Sequence, residues 1–375
     1  MTAPTPARIR VAVVARLEDH KLASKLRPLV AMPEIEDVVL VRRRPLDLPG
    51  VRNVCPPGGV SGLTPLAEPW RLADLLRTVA GWPRERTFVV SFFLMPHALI
   101  ADAARRVFGT RTVPVALSQE DVDLAIDHPL VRAAVRAAHA VGVRGARSRE
   151  RLVGAGIDPA RIFEPPNVHE LAGYAPASEA EAEFDVVFAG ALVAVKQVDL
   201  LLRALAIVKQ TRPTLRAAIV GDGELRAPLE RLAQELGLGA AVVFAGACRH
   251  EEIGGWLRRG RLFVMTSKME GLPMAMIEAL SCGVPVVMPD VGDVTTIAKD
   301  GENAVIVRAA SPEAYAQAIG ELLADPARRA RLARGAVAQR QQFEREYSLD
   351  AAQAVWRRAL FGAPRIESPV LRENP

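Results

Sequence analysis

The 375-residue chain contains only three cysteines, Cys55, Cys248 and Cys282, and they fall at no paired or metal-ligand spacing. An odd, sparse count excludes a disulfide framework and suits a reducing compartment. Aromatic residues are scarce as well, at 5% of the chain. They do not interleave with basic side chains, so the pattern of a nucleic-acid stripe is missing. Lysine is almost absent: six of the 48 basic residues are lysine, at positions 21, 25, 196, 209, 268 and 299, and the rest are arginine. The skew is that of a GC-rich coding sequence; the arginines are scattered and the net charge is only +5. No nucleic-acid partner is expected. Long hydrophobic runs are lacking too. The longest, Phe88 to Ala101, is interrupted by Pro96 and His97 and falls short of the roughly 20 residues that a membrane span needs. Val11 to Ala15, between Arg10 and Arg16, is too short for a secretory signal core. A soluble, cytoplasmic protein is the expectation, with an arginine-rich face leaving weak membrane attachment open.

What is present is an ordinary globular composition, 50% apolar and 24% charged. The length exceeds the roughly 250–300 residues at which a single core stops growing, so two domains are expected. Short apolar runs alternate with helical patterns. Strands are expected at Ile9–Ala15, Val38–Val41, Phe88–Leu94, Val113–Leu117 and Val141–Val143, with another opening at Ile162. Continuous apolar strands between helices indicate a parallel sheet covered on both faces. Leu171–Glu183 is small, acidic and without a core pattern, and is expected to link two domains. The alternation restarts with strands at Val186–Ala189, Ala217–Val220, Val242–Ala245, Leu262–Met265, Val286–Met288 and Val305–Val307. Two arginine-rich helical patterns follow Pro326, the second carrying Trp356 and Leu360. Expected limits are 1–172 and 183–345 for two Rossmann-like doubly wound domains facing a cleft, then a helix and mobile tail over 346–375, with the C-terminal helices crossing back to the first domain.

In such sheets ligands bind beyond the carboxyl ends of the strands. Chemistry is therefore expected in the loops after Leu94, Leu117, Ala189, Val220, Ala245 and Met265. The richest of them runs Thr266-Ser267-Lys268-Met269-Glu270-Gly271-Leu272-Pro273 and continues into a helix through Met274, Ala275 and Glu278. Proline is tolerated in a first helical turn. The free N–H groups of Met274 and Ala275 make a ready phosphate site. Glu270 and Glu278 lie eight residues apart, on the order of 10 Å along a helix axis. That matches a diphosphate between two sugars, with Glu278 on ribose hydroxyls and Glu270 on those of a hexose. Taken alone, each would read as a solvated carboxylate. Lys196 lies in the loop after Val186–Ala189, where a compact cation could neutralise a departing diphosphate, or merely approach a helix exposed.

Glu-x7-Glu in the frame EGLPMAMIEALSCGVPVV resembles the family-four retaining glycosyltransferases of the two-Rossmann (GT-B) fold. The resemblance extends over Phe188 to Lys196, Gly221-Asp222-Gly223-Glu224, Val243 to Gly246, and Pro289 to Asp293. It covers the whole second domain and the first only loosely. It implies a retaining sugar transfer from a nucleotide-diphosphate donor, through an oxocarbenium-like transition state, without metal or cofactor. It implies a donor site built from Glu270, Gly271, Leu272, Met274, Ala275, Glu278, Gly190, Gly221 and Gly246, and a small-molecule, lipid or glycan acceptor. Relatives carry an arginine where this chain has Ala191, so part of the usual cationic clamp is missing; Arg249 and Arg144 are candidate substitutes. Relatives also place a histidine or glycine turn where this chain has Gln119 and Glu120. His97 is a second candidate for that role, or a surface residue at a helix start. Asn167 matches the family's Pro-Asn turn.

Two other readings rest on short motifs. Asp121-Val122-Asp123 offers Asp-x-Asp for a divalent ion, but in an unsuitable context. Gly221-Asp222-Gly223 after an apolar strand hints at an NAD(P)-dependent oxidoreductase, although the third glycine of that fingerprint is absent. A catalytically degenerate binding subunit is the remaining alternative.

Overall fold

Strands that are apolar over most of their length can be buried on both faces, and both halves of this chain use them that way. The computed structural model describes residues 8–56, 67–168, 171–176 and 182–362. Two units separate, Met1–His169 with Tyr347–Pro375, and Glu170–Glu346.

The first unit runs β1 (Ile9–Val14), α1 (Asp19–Val30), β2 (Ile35–Val41), β3 (Val51–Val54), α2 (Ala67–Val79), β4 (Thr87–Phe92), α3 (His97–Phe108), β5 (Arg111–Val115), α4 (Gln119–Asp127), α5 (Pro129–Ala137), β6 (Val141–Gly142), α6 (Ala146–Gly154) and β7 (Ile162–Phe163). Its strands form one sheet in the order β3-β2-β1-β4-β5-β6-β7, with every pairing parallel. Val11 to Val14 and the whole of β4 are buried. Helix ends follow local chemistry. Ser118 and Asp121 form a reciprocal capping box at α4, Pro129 opens α5, and Gly109 closes α3 in the left-handed region.

The second unit runs β8 (Phe184–Ala189), α7 (Val198–Thr211), β9 (Ala217–Val220), α8 (Arg226–Glu235), β10 (Val242–Gly246), α9 (His250–Arg258), β11 (Gly260–Val264), α10 (Met274–Ser281), β12 (Val286–Pro289), α11 (Val294–Ile297), β13 (Ala304–Val307), α12 (Pro312–Ala324) and α13 (Pro326–Glu346). The sheet order is β10-β9-β8-β11-β12-β13, again all parallel. This is the doubly wound order, and it reverses between β8 and β11, where the fold leaves a crevice for ligand. Leu201 and Leu205 of α7 join Ile319 and Leu322 of α12 in a core cluster with β8 and β9.

Two features depart from the expected organisation. β3 has no apolar run, because it is a four-residue edge strand that stays partly exposed. Part of the expected linker is ordered: Leu171 and Tyr174 are buried, and Arg340 of α13 donates to the carbonyls of Leu171 and Tyr174 at 3.4 and 2.9 Å. Residues 177–181 of that stretch lie outside the described residues. The last helix crosses back to the first unit, as expected. α14 (Leu349–Phe361) joins the first unit, where Trp356 packs edge-on against Phe163 with centroids 5.1 Å apart, and Arg357 pairs with Glu34 at 2.7 Å. The expected mobile tail beyond Gly362 lies outside the described residues.

Candidate functional site

The carboxyl ends of β8, β9 and β10 bring three of the expected glycines together. The Gly190 amide donates to the Val220 carbonyl at 2.9 Å, and the Gly221 amide to the Gly246 carbonyl at 2.8 Å. Gly221 has φ +142°, and a Cβ there would stand 1.9 Å from the Gly190 oxygen. Any side chain at 221 would therefore push the loop after β8 off the sheet edge. That close approach accounts for the glycine without a dinucleotide. Asp222 is occupied by the Gly223 amide at 2.7 Å and by Arg226 at 3.2 Å.

The loops after β8 and β11 are laced together. Thr266 Oγ1 donates to the carbonyls of Lys196 and Gln197 at 3.1 and 2.8 Å, and the Lys268 amide donates to the Val195 carbonyl at 2.9 Å. The result is that Lys196 Nζ meets Glu270 Oε1 at 2.5 Å, with side chains 20% and 10% exposed. The expectation placed these residues at different parts of one ligand; here each neutralises the other directly. A partly desolvated pair of this kind interacts more strongly than a surface pair. Beside it, Ala191 is exposed and supplies no charge.

Glu270 is held from behind. Gly292 has φ +55°, and a Cβ there would lie 1.9 Å from the Glu270 oxygen. The Asp293 amide donates to the Gly271 carbonyl at 3.0 Å. Pro273 proves to be the N-cap of α10 rather than its first helical residue. Met274 and Ala275 follow it half-buried, in the first turn, where amide hydrogens have no intrahelical acceptor. Glu278, one turn further along, is buried. It lies 3.9 Å from His250 Nε2 and hydrogen-bonds the phenol of Tyr174, whose ionisation is pushed far up by burial and then by that carboxylate. Burial likewise pushes the Cys282 thiol up to about 12, so it stays protonated and inert.

The remaining sequence candidates lie elsewhere or are already engaged. His97 is buried. Its Nδ1 contacts the Phe92 carbonyl at 2.8 Å and its Nε2 contacts Arg71 at 3.1 Å. Burial, then Arg71, lower its pKa to about 4, leaving a neutral ring that donates to the carbonyl and accepts from the guanidinium. Both nitrogens being used, His97 holds the loop after β4 and does not present a base. Gln119 spends its amide on Ser148 at 3.1 Å and Arg151 at 3.0 Å. Asp121 accepts from the amides of Leu94 and Leu117 at 2.8 and 2.7 Å, and Asp123 pairs with Arg151. The two carboxylates face separate tasks, and among the described residues no three His, Cys, Asp or Glu side chains gather as metal ligands. Arg249 is an exposed residue at the N-cap of α9, paired with Glu252 at 2.8 Å. Arg144 and Asn167 belong to the first unit. Leu272 follows Gly271 half-buried.

Sequence reasoning gave no role to Tyr174, His250, Thr266 or Gly292. The signal for Gly292 and Asp293 was present in the Pro289–Asp293 stretch; the others are visible only once loops distant in the chain meet.

Residues 175–339 match the family described as Glycosyl transferases group 1. The chain is 36% identical over 233 residues to a D-inositol 3-phosphate glycosyltransferase of Acidothermus cellulolyticus, covering 57% of this chain and 51% of that one. It is 30% identical over 287 residues to the protein of the same name in Thermomonospora curvata, covering 70% and 66%. The chain thus spans about half the length of the first of these relatives. Among solved structures, a sucrose-phosphate synthase from Thermosynechococcus elongatus superposes with a TM-score of 0.76 at 18% identity, covering 95% of this chain and 100% of that one. Anabaena HepE in complex with UDP superposes at 0.74 and 17%, with the same coverage. Both likenesses concern the fold, two Rossmann-like units of GT-B type.

Proposed function

Because this chain belongs to the glycosyl transferases group 1 family, we propose that it moves a sugar from a nucleotide-diphosphate donor to a small-molecule, lipid or glycan acceptor with retention at the anomeric carbon. The observation that carries this reading is the Lys196–Glu270 contact at 2.5 Å. It puts a cation suited to a leaving diphosphate beside a carboxylate suited to sugar hydroxyls. The C–O bond between sugar and diphosphate would therefore break close to this pair. The electron pair of that bond leaves on the diphosphate, where Lys196 and the first-turn amides of α10 offset the growing charge. The acceptor oxygen attacks the oxocarbenium-like carbon, and its proton passes to the departing phosphate oxygen. Glu278, buried one turn into α10, takes the ribose hydroxyls.

The reading requires no cofactor and no metal, since a lysine and a helix N-terminus supply the positive potential. Turnover should be unchanged by EDTA. Restoration by magnesium or manganese of an activity lost to EDTA would contradict this. Among the described residues no helix is long and apolar enough to cross a membrane, and a cytoplasmic location is part of the proposal, with weak attachment to a membrane surface compatible with it. A second reading, a binding subunit without turnover, draws on Ala191 standing where relatives carry a cation. A thermal-shift panel of nucleotide sugars followed by turnover with the stabilising donor separates the two. Selective stabilisation with release of nucleoside diphosphate supports transfer; stabilisation by none of the donors would overturn both.

A further inference from the structure

The segment that leads into the second unit has little internal support. Leu171–Gly173 is a single 3-10 turn, closed by a bond from the Tyr174 amide to the Leu171 carbonyl at 3.0 Å. One such turn does not fix its own position. Arginines from two helices do. Arg340 of α13 donates through Nη1 to the Tyr174 carbonyl at 2.9 Å and through Nη2 to the Leu171 carbonyl at 3.4 Å. Arg258 of α9 donates to the Gly173 carbonyl at 3.0 Å. The turn also lies directly against α9, since a Cβ on Gly254 would stand 2.7 Å from the Gly173 oxygen.

Tyr174 carries that position inward. Its side chain is buried, and its ring packs at a tilt beside the His250 ring, with centroids 6.2 Å apart. The hydroxyl meets the His250 carbonyl at 3.3 Å and hydrogen-bonds Glu278. A buried carboxylate is costly unless donors satisfy it, and a charge-assisted bond also fixes its direction. The guanidinium of Arg340 is a planar fork spread over two carbonyls. Moving the phenol along with its own main chain would break those bonds.

We propose that Arg340, helped by Arg258, is a positioning residue for the nucleotide site. It acts through the turn at residues 171–174, holding the Tyr174 phenol against Glu278, and so sets nucleotide affinity through another residue. This rests on the reading that Glu278 takes the ribose hydroxyls. By linkage the effect runs both ways, and a nucleotide on Glu278 steadies the turn.

The test uses the full chain and calorimetry, with the tightest of UDP, GDP and ADP as the probe. Arg340→Met should weaken binding roughly three- to tenfold. Arg340→Lys, which still donates to the Tyr174 carbonyl, should lose less. Glu344→Gln, which alters only the other partner of Arg340 at 2.8 Å, should match the parent. In the Tyr174→Phe background Arg340→Met should add no loss beyond about twofold. Hydrogen exchange at residues 171–174 should slow when nucleotide is added to the parent, and much less in Tyr174→Phe. Should Arg340→Met not fold, Arg258→Met is expected to show the same direction and the same non-additivity. Parental affinity in Arg340→Met beside a loss in Glu278→Ala overturns the proposal and leaves the reading of Glu278 standing. Fully additive losses in the double variant overturn it too, making Arg340 a support of the fold alone. Parental affinity in Glu278→Ala, or a parent that binds none of the three nucleotides, overturns the ribose reading and this inference with it.

Discussion

Lys196 and Glu270 neutralise each other before any ligand arrives, and that constrains what their removal does. Diphosphate departure builds negative charge, and a cation in a partly dry site stabilises that charge more than the ground state. With no second cation at Ala191, Lys196→Ala should lower the transfer rate by roughly two to four orders of magnitude. It also leaves Glu270 unpaired beside the phosphates, so donor affinity should fall too, though less than the rate. Single-turnover kinetics with a retained rate would refute the assignment. At Glu278 the expected signature differs. Glu278→Ala should weaken nucleotide and nucleotide sugar alike by about 1.5–3 kcal/mol, whereas Tyr174→Phe, which deletes the phenol hydroxyl's contacts with Glu278 and the His250 carbonyl, should raise KM several-fold with kcat little changed. Calorimetry giving full affinity in Tyr174→Phe would assign that tyrosine to packing alone. His97 shows where residue types mislead. Its loop position read as a cleft histidine or a surface residue at a helix start, and nothing in the local residues announces that Arg71 from α2 would meet it. Its pKa near 4 lies below the ordinary 6.5, so as pH falls the unfolded chain takes up the proton first. The contribution is full above about pH 6.5 and is lost as pH falls toward 4, up to about 3 kcal/mol. Urea melts should show a shallower acid slope in His97→Gln than in the parent; equal slopes would clear His97 of that role.

At the scale of elements, what was legible was whatever a run of residues specifies by itself. β1, β4, β8 and β12 each contain an apolar run, at residues 11–14, 88–90, 186–189 and 286–288, and α10 starts where glycine and proline end a strand pattern. β3 was invisible because four half-exposed residues at a sheet edge carry no periodicity. Leu171 and Tyr174 read as linker because their partners in α9 and α13 come far later in the chain, 76 and 166 residues beyond Tyr174. Loop-to-loop support was equally hidden, and Gly292 is its most exacting case. Gly292→Ala should place a methyl into the Glu270 backbone and strain a left-handed position. The loop can yield only by moving Glu270, so turnover should drop by more than tenfold while the melting temperature falls by a few degrees. A variant with parental turnover would show that Glu270 needs no such backing.

Across the whole molecule, the doubly wound architecture of both units was readable from alternation alone, and the family from one frame around Glu270 and Glu278. The last helix was expected to cross back to the first unit, and the structure shows which of its residues seat it there, Trp356 and Leu360. Trp356→Ala should destabilise that unit by about 3–5 kcal/mol, the usual cost of deleting a buried tryptophan, while leaving nucleotide affinity in the second unit near normal. A single cooperative melt shifted equally for both units would instead show them coupled. There is also a consequence for synthesis. Domains ordinarily acquire their structure in the order in which they leave the ribosome. Here the slot between α1 and β7 waits for a tryptophan made 193 residues after Phe163. The second unit therefore has all of its residues while the first, though older, still lacks its closing helix.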